Sequence, residues 1–147
     1  MRVKEVLEKI LECIEVEECV PAYDRLSDSY YSYPESKAVL GGMSNLEADK
    51  VFMDFIKTEY ELEGISVEMM SFLHEVGHHM TFDYMEEDEL IKSAAMEHYA
   101  NKFHSYETYF KAPVEIVAAE WAVSATKNYY SSIVELDKEL IEAIYPL

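Results

Sequence analysis

The sequence is poor in the residues that break, cross-link or disorder a polypeptide chain. Its 147 residues include 4 glycines, 4 prolines and 2 cysteines, whereas half of the residues are hydrophobic. This balance excludes a disordered or low-complexity protein and predicts a single compact domain over residues 1–147. Cys13 and Cys19 alone do not make a disulfide framework, so a reducing, cytoplasmic location is the simpler expectation.

Positive charge is also scarce. Lysine and arginine together number 12 against 30 acidic residues, and the formal net charge is −18. Nucleic acids and anionic membranes are bound through clustered Lys and Arg, so neither is an expected partner. No apolar run approaches the roughly 18 residues of a membrane span, and the N-terminus is not predicted to be a signal peptide. The acidity predicts a solvated surface, or a preference for basic peptides or partners.

Apolar periodicity predicts an α+β fold that is mostly α. Helices are expected over residues 2–19, 67–80, 86–103, 113–129 and 133–144, and a further helix through Leu62 opens with a capping box at Ser44 and Glu47. Tyrosines and turn residues alternate over residues 21–43, which predicts two or three short strands in a small antiparallel sheet. Within the helix at 86–103, the residues expected to face inward are Leu90, Ile91, Ala94, Ala95 and Tyr99.

The helix predicted over residues 67–80 carries the motif His74-Glu75-x-x-His78. Histidines four residues apart lie on one face of a helix, so both imidazoles can bind one metal ion. Glu75, beside the first histidine, can take a proton from a water that the metal activates. Ser66 is a plausible N-cap. The helix is apolar on nearly every side and is therefore expected to be buried, where its polar side chains need partners.

A catalytic zinc site needs a third protein ligand, which is expected to be a glutamate from a separate helix. The longer three-histidine motif is absent, because Thr81 and Tyr84 occupy its glycine and histidine positions. The competing residues are Glu97, Glu115 and Glu120.

Helix geometry favours Glu115 among these glutamates. If residues 86–103 fold straight back on the motif helix, Glu97 and His78 differ in height by roughly 13 Å at the rise of an α-helix. The Glu115 face of its helix carries small residues that permit a close approach to the motif helix; they are Ala118, Ala119 and Ala122. Glu120 lies about 140° around the helix from Glu115.

At these residues the sequence resembles the ImmA/IrrE group of small gluzincin-type zinc metallopeptidases, which are often encoded by phages and mobile elements. The resemblance covers about residues 66–126. It rests on the HExxH motif and on the run Pro113-x-Glu115-x-x-Ala118-x-x-Trp121-Ala122. It implies a zincin-like, minimal gluzincin fold in which His74, His78 and Glu115 bind zinc and Glu75 is the catalytic base. Glu97-x-x-Ala100-Asn101-x-Phe103 also fits a pattern of the group, which keeps Glu97 open as the third ligand.

The function predicted from these features is a zinc-dependent peptidase that hydrolyses a specific protein or peptide substrate, with Zn²⁺ as cofactor and Glu75 as general base. The alternative is a catalytically silent, metal-stabilised protein-binding module on the same fold. A peptidase also needs a second donor for the oxyanion of its transition state. The available side chains are Tyr99, Tyr106, Tyr109, His98 and His104. His79 is expected to be exposed or to support the site without binding the metal. The sequence does not indicate the oligomeric state.

Overall fold

The computed structural model describes residues 2–43 and 46–146, and the predicted α+β class is confirmed. The helices in these ranges are α1 (Arg2–Cys13), α2 (Leu46–Tyr60), α3 (Val67–Thr81), α4 (Glu87–Phe103), α5 (Tyr106–Phe110), α6 (Pro113–Asn128) and α7 (Tyr130–Ile144). The strands are β1 (Val20–Asp24), β2 (Tyr30–Ser32) and β3 (Lys37–Gly41). Ser44, and with it the predicted capping box, lies outside the described residues.

Helix α1 is shorter than predicted. It ends at Cys13, and Glu15 and Glu18 then adopt positive φ angles of 58° each. A residue with positive φ cannot continue a right-handed helix, so the chain turns toward β1 at this point. Cys19 therefore lies outside the helix, contrary to the prediction, and both cysteines are free thiols.

The three-stranded sheet is mixed, not antiparallel as predicted. Its order is β1-β3-β2, with β1 parallel and β2 antiparallel to β3. A tight turn before β3 makes the second pair a hairpin, while β1 reaches the opposite edge of β3. The middle residues of β3 are Ala38, Val39 and Leu40, each at most 1% exposed. This apolar run suits a central strand that is covered on both faces.

Helix α3 lies in the core, as its apolar sequence predicts. Its buried residues are Met69, Met70, Phe72, Leu73, His74, Val76 and Gly77. Ser66 is the predicted N-cap, and its Oγ accepts a hydrogen bond of 3.1 Å from the Met69 amide. Asp137 of α7 accepts hydrogen bonds from both the amide and the hydroxyl of Ser66. The start of the motif helix is thus tied to the last helix of the fold.

Helices α3 and α6 approach each other closely. A Cβ atom added to Gly77 would lie 2.4 Å from the carbonyl oxygen of Ala118, which is well inside van der Waals contact. Ala118, Ala119 and Ala122 are each at most 1% exposed. These small side chains form the close face that the sequence predicts on α6. The contact brings the first turn of α6, with Glu115, alongside α3.

Helix α4 does not face the core in the predicted way. Ser93 and Ala100 are its buried residues, while Ile91 is 61% and Tyr99 51% exposed. A short 3-10 helix at Phe82–Tyr84 turns the chain after α3, and α4 packs mainly against α5 and α6. The predicted loop before α6 contains α5, a single helical turn. The expected apolar stripe of α4 is therefore largely on the surface.

Candidate metal centre

Three side chains from α3 and α6 converge between the two helices. The Nε2 atom of His74 lies 2.9 Å from Oε1 of Glu115, and the Nε2 atom of His78 lies 3.2 Å from the same oxygen. The ligand atoms of all three lie within 4.8 Å of one another. Sequence reasoning selected these residues, and the structure brings them together as a group that can hold a metal ion.

The two helices position these side chains through local features of the sequence. His74 and His78 are one turn apart on α3, and their rings meet edge to face with centroids 4.8 Å apart. Glu115 lies in the first turn of α6, two residues after Pro113 at its N-terminus. A carboxylate is favoured there by the partial positive charge of the helix N-terminus. The local sequences of α3 and α6 therefore place the two imidazoles and the carboxylate on facing sides of the two helices.

Ser93 is a supporting residue that the sequence analysis did not identify. Its hydroxyl donates to the Glu89 carbonyl within α4 at 2.7 Å and accepts from the Val114 amide of α6 at 3.1 Å. It thereby satisfies one of the free amides at the start of α6. Ser93 directly precedes an alanine pair in a predicted apolar helix, and this position gives no sequence signal, because the partner helix is distant in the chain.

Glu115 and the two histidines each stabilise the charged form of the other. Burial alone would raise the pKa of Glu115, but hydrogen bonds and charge from His74 and His78 outweigh it and hold that pKa well below its usual range. Burial alone would lower the pKa of His78, but its hydrogen bond to Glu115 and the nearby carboxylates raise that pKa to about 9. These interactions favour the ionised form of Glu115, which is the form that binds a cation.

Glu75 follows His74 on α3 and lines the adjoining cleft. Burial raises the pKa of its carboxyl group, and the charges of His74 and His78 partly offset that shift. A base with a raised pKa is better matched to taking a proton from water near neutral pH. Glu75 is outside the set of three atoms that can share one ion.

Glu97 also reaches the site, contrary to the expected separation of roughly 13 Å from His78. Its side chain hydrogen-bonds to Glu115; burial, and then the charge of Glu115, raise the pKa of Glu97 to about 7. The expectation was wrong because α4 packs on α6 and does not fold straight back on α3. Glu97 contacts the site through Glu115 and is not one of the three clustered ligands. Glu120 is exposed, as its position on α6 predicts.

Tyr109 is a predicted donor that lines the cleft together with His74, Glu75 and Glu115. Burial, followed by the charges of Glu115, Glu75 and Glu97, raises its pKa well above the usual range. Tyr106 and His104 line the same cleft. The remaining two predicted donors, His98 and Tyr99, are exposed on α4 and do not line the cleft.

The cleft next to the cluster has a volume of about 410 Å³. Its walls come from the C-terminal end of β3, the first turns of α2 and α3, the α4–α5 segment and the end of α7. Acidic side chains on the walls away from the cluster are Asp28, Asp49 and Glu68, and no lysine or arginine is among the lining residues. Sequence reasoning missed these wall residues, because they come from segments far apart in the chain.

His79 lies outside the group of clustered ligand atoms. Its Nδ1 lies 2.8 Å from the Tyr31 hydroxyl, and its Nε2 lies 3.2 Å from the carbonyl oxygen of Glu17. In the neutral ring, Nε2–H therefore donates to the carbonyl and Nδ1 accepts from the tyrosine. His79 joins α3 to β2 and to the segment before β1.

The donor set fits a divalent transition metal. Two imidazole nitrogens and one carboxylate oxygen match the His₂Glu ligands of catalytic zinc sites. The Nδ1 atom of His74 is buried without a hydrogen-bond partner among the described residues. This departs from the usual arrangement, in which the second nitrogen of a ligating histidine is held by a carbonyl or carboxylate.

Comparison of the chain with protein-family models, with curated proteins and with solved structures finds no match. None of the helices in the described ranges combines the length and the apolar character that crossing a membrane requires.

Proposed function

We propose that the protein is a zinc-dependent peptidase with a zincin-like, minimal gluzincin fold similar to that of the ImmA/IrrE group. The observation that carries the proposal is the convergence of His74, His78 and Glu115 beside Glu75 at the wall of an open cleft. A purely structural metal site is usually closed by four protein ligands, whereas three ligands leave a position for reaction.

In this proposal His74, His78 and Glu115 hold the ion. A bound Zn²⁺ supplies a Lewis acid that lowers the pKa of water toward 7 and polarises the substrate carbonyl. Glu75 takes the proton from the attacking water and passes it to the leaving amine as the C–N bond breaks. The low pKa of Glu115 keeps this ligand ionised, and His78 releases its own proton when it binds the metal.

The substrate is a peptide segment that enters the cleft in an extended conformation. Acidic groups on the walls and the absence of Lys and Arg from the lining favour uncharged or basic side chains over acidic ones. The net charge of −18 adds to this preference at long range. The proposed substrate class is therefore a neutral or basic segment of a protein.

A second function is supported by a different observation. The same three ligands connect α3 to α6, so a bound ion would cross-link the core without any reaction. Helix α4 also exposes apolar side chains, among them Ile91, Tyr99 and Phe103. These features fit a metal-stabilised protein-binding module that lacks catalytic activity.

Replacement of the base separates the two functions. Glu75→Gln keeps the size of the side chain and removes its ability to accept a proton, and exposed Glu120→Gln on α6 is the matched control. Both proteins are purified without chelator, analysed for zinc, and incubated with a degenerate peptide library whose products are identified by mass spectrometry. The peptidase proposal predicts zinc in both variants and cleavage at least about 100-fold slower in Glu75→Gln alone.

Protein that contains no zinc, and does not bind it when it is added, would overturn the peptidase proposal. Zinc binding without cleavage that depends on Glu75 would favour the protein-binding module.

A further inference from the structure

We propose that the exposed face of α4 is the contact surface of a symmetric homodimer, in which it packs antiparallel against α4 of a second copy of the chain. The inference goes beyond the proposed function and does not depend on it. The side chain of Ala95, at the middle of this face, lies about 160° around the helix from that of Glu97, which reaches the ligand group. The proposed contact is therefore on the side of α4 opposite the site.

Large apolar side chains are exposed along α4. Ile91, Tyr99 and Phe103 are 61%, 51% and 58% exposed, and the rings of Tyr99 and Phe103 contact each other with centroids 4.7 Å apart. The helix packs against α5 and α6 through its other side, where Ser93 and Ala100 are buried. An exposed apolar face of this kind is typical of a surface that a partner covers.

The sequence of this face is self-complementary about Ala95. In an antiparallel pair whose two-fold axis passes Ala95, each residue meets the residue at the same distance on the other side of the axis. Four residues from the axis, Ile91 meets Tyr99 of the second copy. Seven residues from the axis, Asp88 meets Lys102 of the second copy. These positions lie within about 40° of the direction of the Ala95 side chain, so they share one face.

Small side chains at the centre of the face allow a close approach. Ala94 and Ala95 are both exposed at the middle of α4. Two helices that meet at alanines can bring their axes to about 8 Å, the close end of the usual range. The larger Ile91 and Tyr99 then pack against each other on both sides of the axis, so apolar surface is buried at each end of the contact.

Charge favours a second copy as the partner. The exposed charged residues of α4 are Glu87, Asp88, Lys92 and Lys102. Acidic and basic groups balance on this face, although the net charge of the chain is −18, so two acidic molecules can meet here. The acids lie near the start of the helix, whereas the Lys102 ammonium lies near its end, 5.6 Å from the centroid of the Phe103 ring. An antiparallel copy matches both ends at once, which a uniformly basic or acidic partner does not.

Sedimentation equilibrium of the whole chain measures the association. One helix pair makes an interface smaller than the roughly 1,200 Å² of standard complexes, so we expect a weak dimer with a dissociation constant of about 10–100 µM. Protein concentrations from about 5 to about 500 µM span this range. The ionic strength is kept at about 0.15 M, where long-range repulsion between the acidic molecules is screened.

The first variant places a like-charge pair on the two-fold axis. In Ala95→Glu the two introduced carboxylates face each other, and association is expected to weaken by at least about 10-fold. Ala94→Glu is the matched control, because it adds the same charge at an exposed position about 100° around the helix. Its dissociation constant is expected to stay within about threefold of that of the unmodified protein.

A charge exchange tests the antiparallel arrangement itself. Asp88→Lys and Lys102→Asp each bring like charges together, and each is expected to weaken association by about 5-fold. The double variant restores opposite charges across the contact, and its dissociation constant should return to within about threefold of the original value. Melting temperatures are compared first, because the exchanged charges oppose the dipole at the ends of α4.

A protein that is monomeric at every concentration would overturn the inference and would leave the α4 face to a different partner. Association that Ala95→Glu does not weaken would overturn it as well, because the contact would then lie on another surface. Failure of the double variant to recover would exclude the antiparallel pair. Because none of these measurements uses zinc binding or cleavage, their failure and that of the proposed function are distinguishable.

Discussion

Helices α6 and α4 each bring a glutamate to the same histidine pair, yet the two carboxylates arrive differently. Glu115 on α6 hydrogen-bonds to both histidines, whereas Glu97 on α4 contacts the site through Glu115. The difference follows from packing. Helix α6 lies against Gly77 of α3 with a face of alanines, while α4 packs on α6 and is largely exposed. Side-chain size along a helix thus decides which carboxylate can reach the histidine pair.

Removal of the α6 carboxylate is expected to have the largest effect. Glu115→Gln should lower zinc affinity by more than about 100-fold, because a direct ligand is lost, whereas supporting residues typically change affinity 10–100-fold. Zinc affinity is measured by competition with a chromogenic chelator. A zinc affinity within about threefold of that of the unmodified protein would show that Glu97 replaces Glu115. It would contradict the assignment of the third ligand to α6 and not to α4.

The close contact between α3 and α6 can be broken without touching a ligand. Gly77→Ala places a Cβ against the Ala118 carbonyl, so the helices must separate, at a cost of about 1–3 kcal/mol in the free energy of unfolding. Gly64→Ala supplies a comparison at a glycine with open surroundings, although its φ of 87° makes that substitution strained as well. Denaturant unfolding of the metal-free proteins measures both changes, and Gly77→Ala should also weaken zinc binding. An unchanged midpoint with unchanged zinc affinity would contradict the role of packing.

Substitution of Glu97, the carboxylate on α4, tests whether this residue binds the metal directly. The amide of Glu97→Gln can still donate to Glu115, so zinc affinity is expected to change by less than about threefold. Glu97→Ala removes that hydrogen bond and should weaken binding by about 10-fold, the lower range for a residue that supports a ligand. The same chelator competition measures both variants. A loss in Glu97→Gln as large as that in Glu115→Gln would make Glu97 a ligand.

The smallest expected effect concerns the contact between α4 and α6. Ser93→Ala leaves the Val114 amide without its acceptor and should lower the free energy of unfolding by about 1 kcal/mol. Ser124→Ala, at an exposed position of α6, is the control and should change stability by less than about 0.5 kcal/mol. Equal midpoints for the two variants in urea would remove Ser93 from the positioning of α6.

Local features of the fold were predictable because their causes are local. The burial of α3 follows from its apolar sequence, its start from Ser66, and the pairing of His74 with His78 from helical spacing. The preference for Glu115 over Glu120 also followed, since residues on one helix have fixed relative directions. The class of fold could be predicted for the same reason, as apolar periodicity separates helices from strands.

The parallel pairing of β1 with β3 was not predictable in this way. Strand order depends on which edge of the buried central strand the chain reaches, and no residue of β1 encodes that choice by itself. The early end of α1 at Cys13 was missed because apolar spacing continues past the residues whose positive φ stops the helix.

The sequence by itself determined a pair of histidines with an adjacent glutamate on one buried helix, because helical periodicity alone puts them there. Only the tertiary structure decided how α4 and α5 pack beside α6, and therefore that Glu97 and Tyr109 lie near enough to Glu115 for its charge to raise their pKa values. These residues lie on three different helices, and their distances depend on crossing angles that arise from packing. Local sequence preferences do not determine those crossing angles.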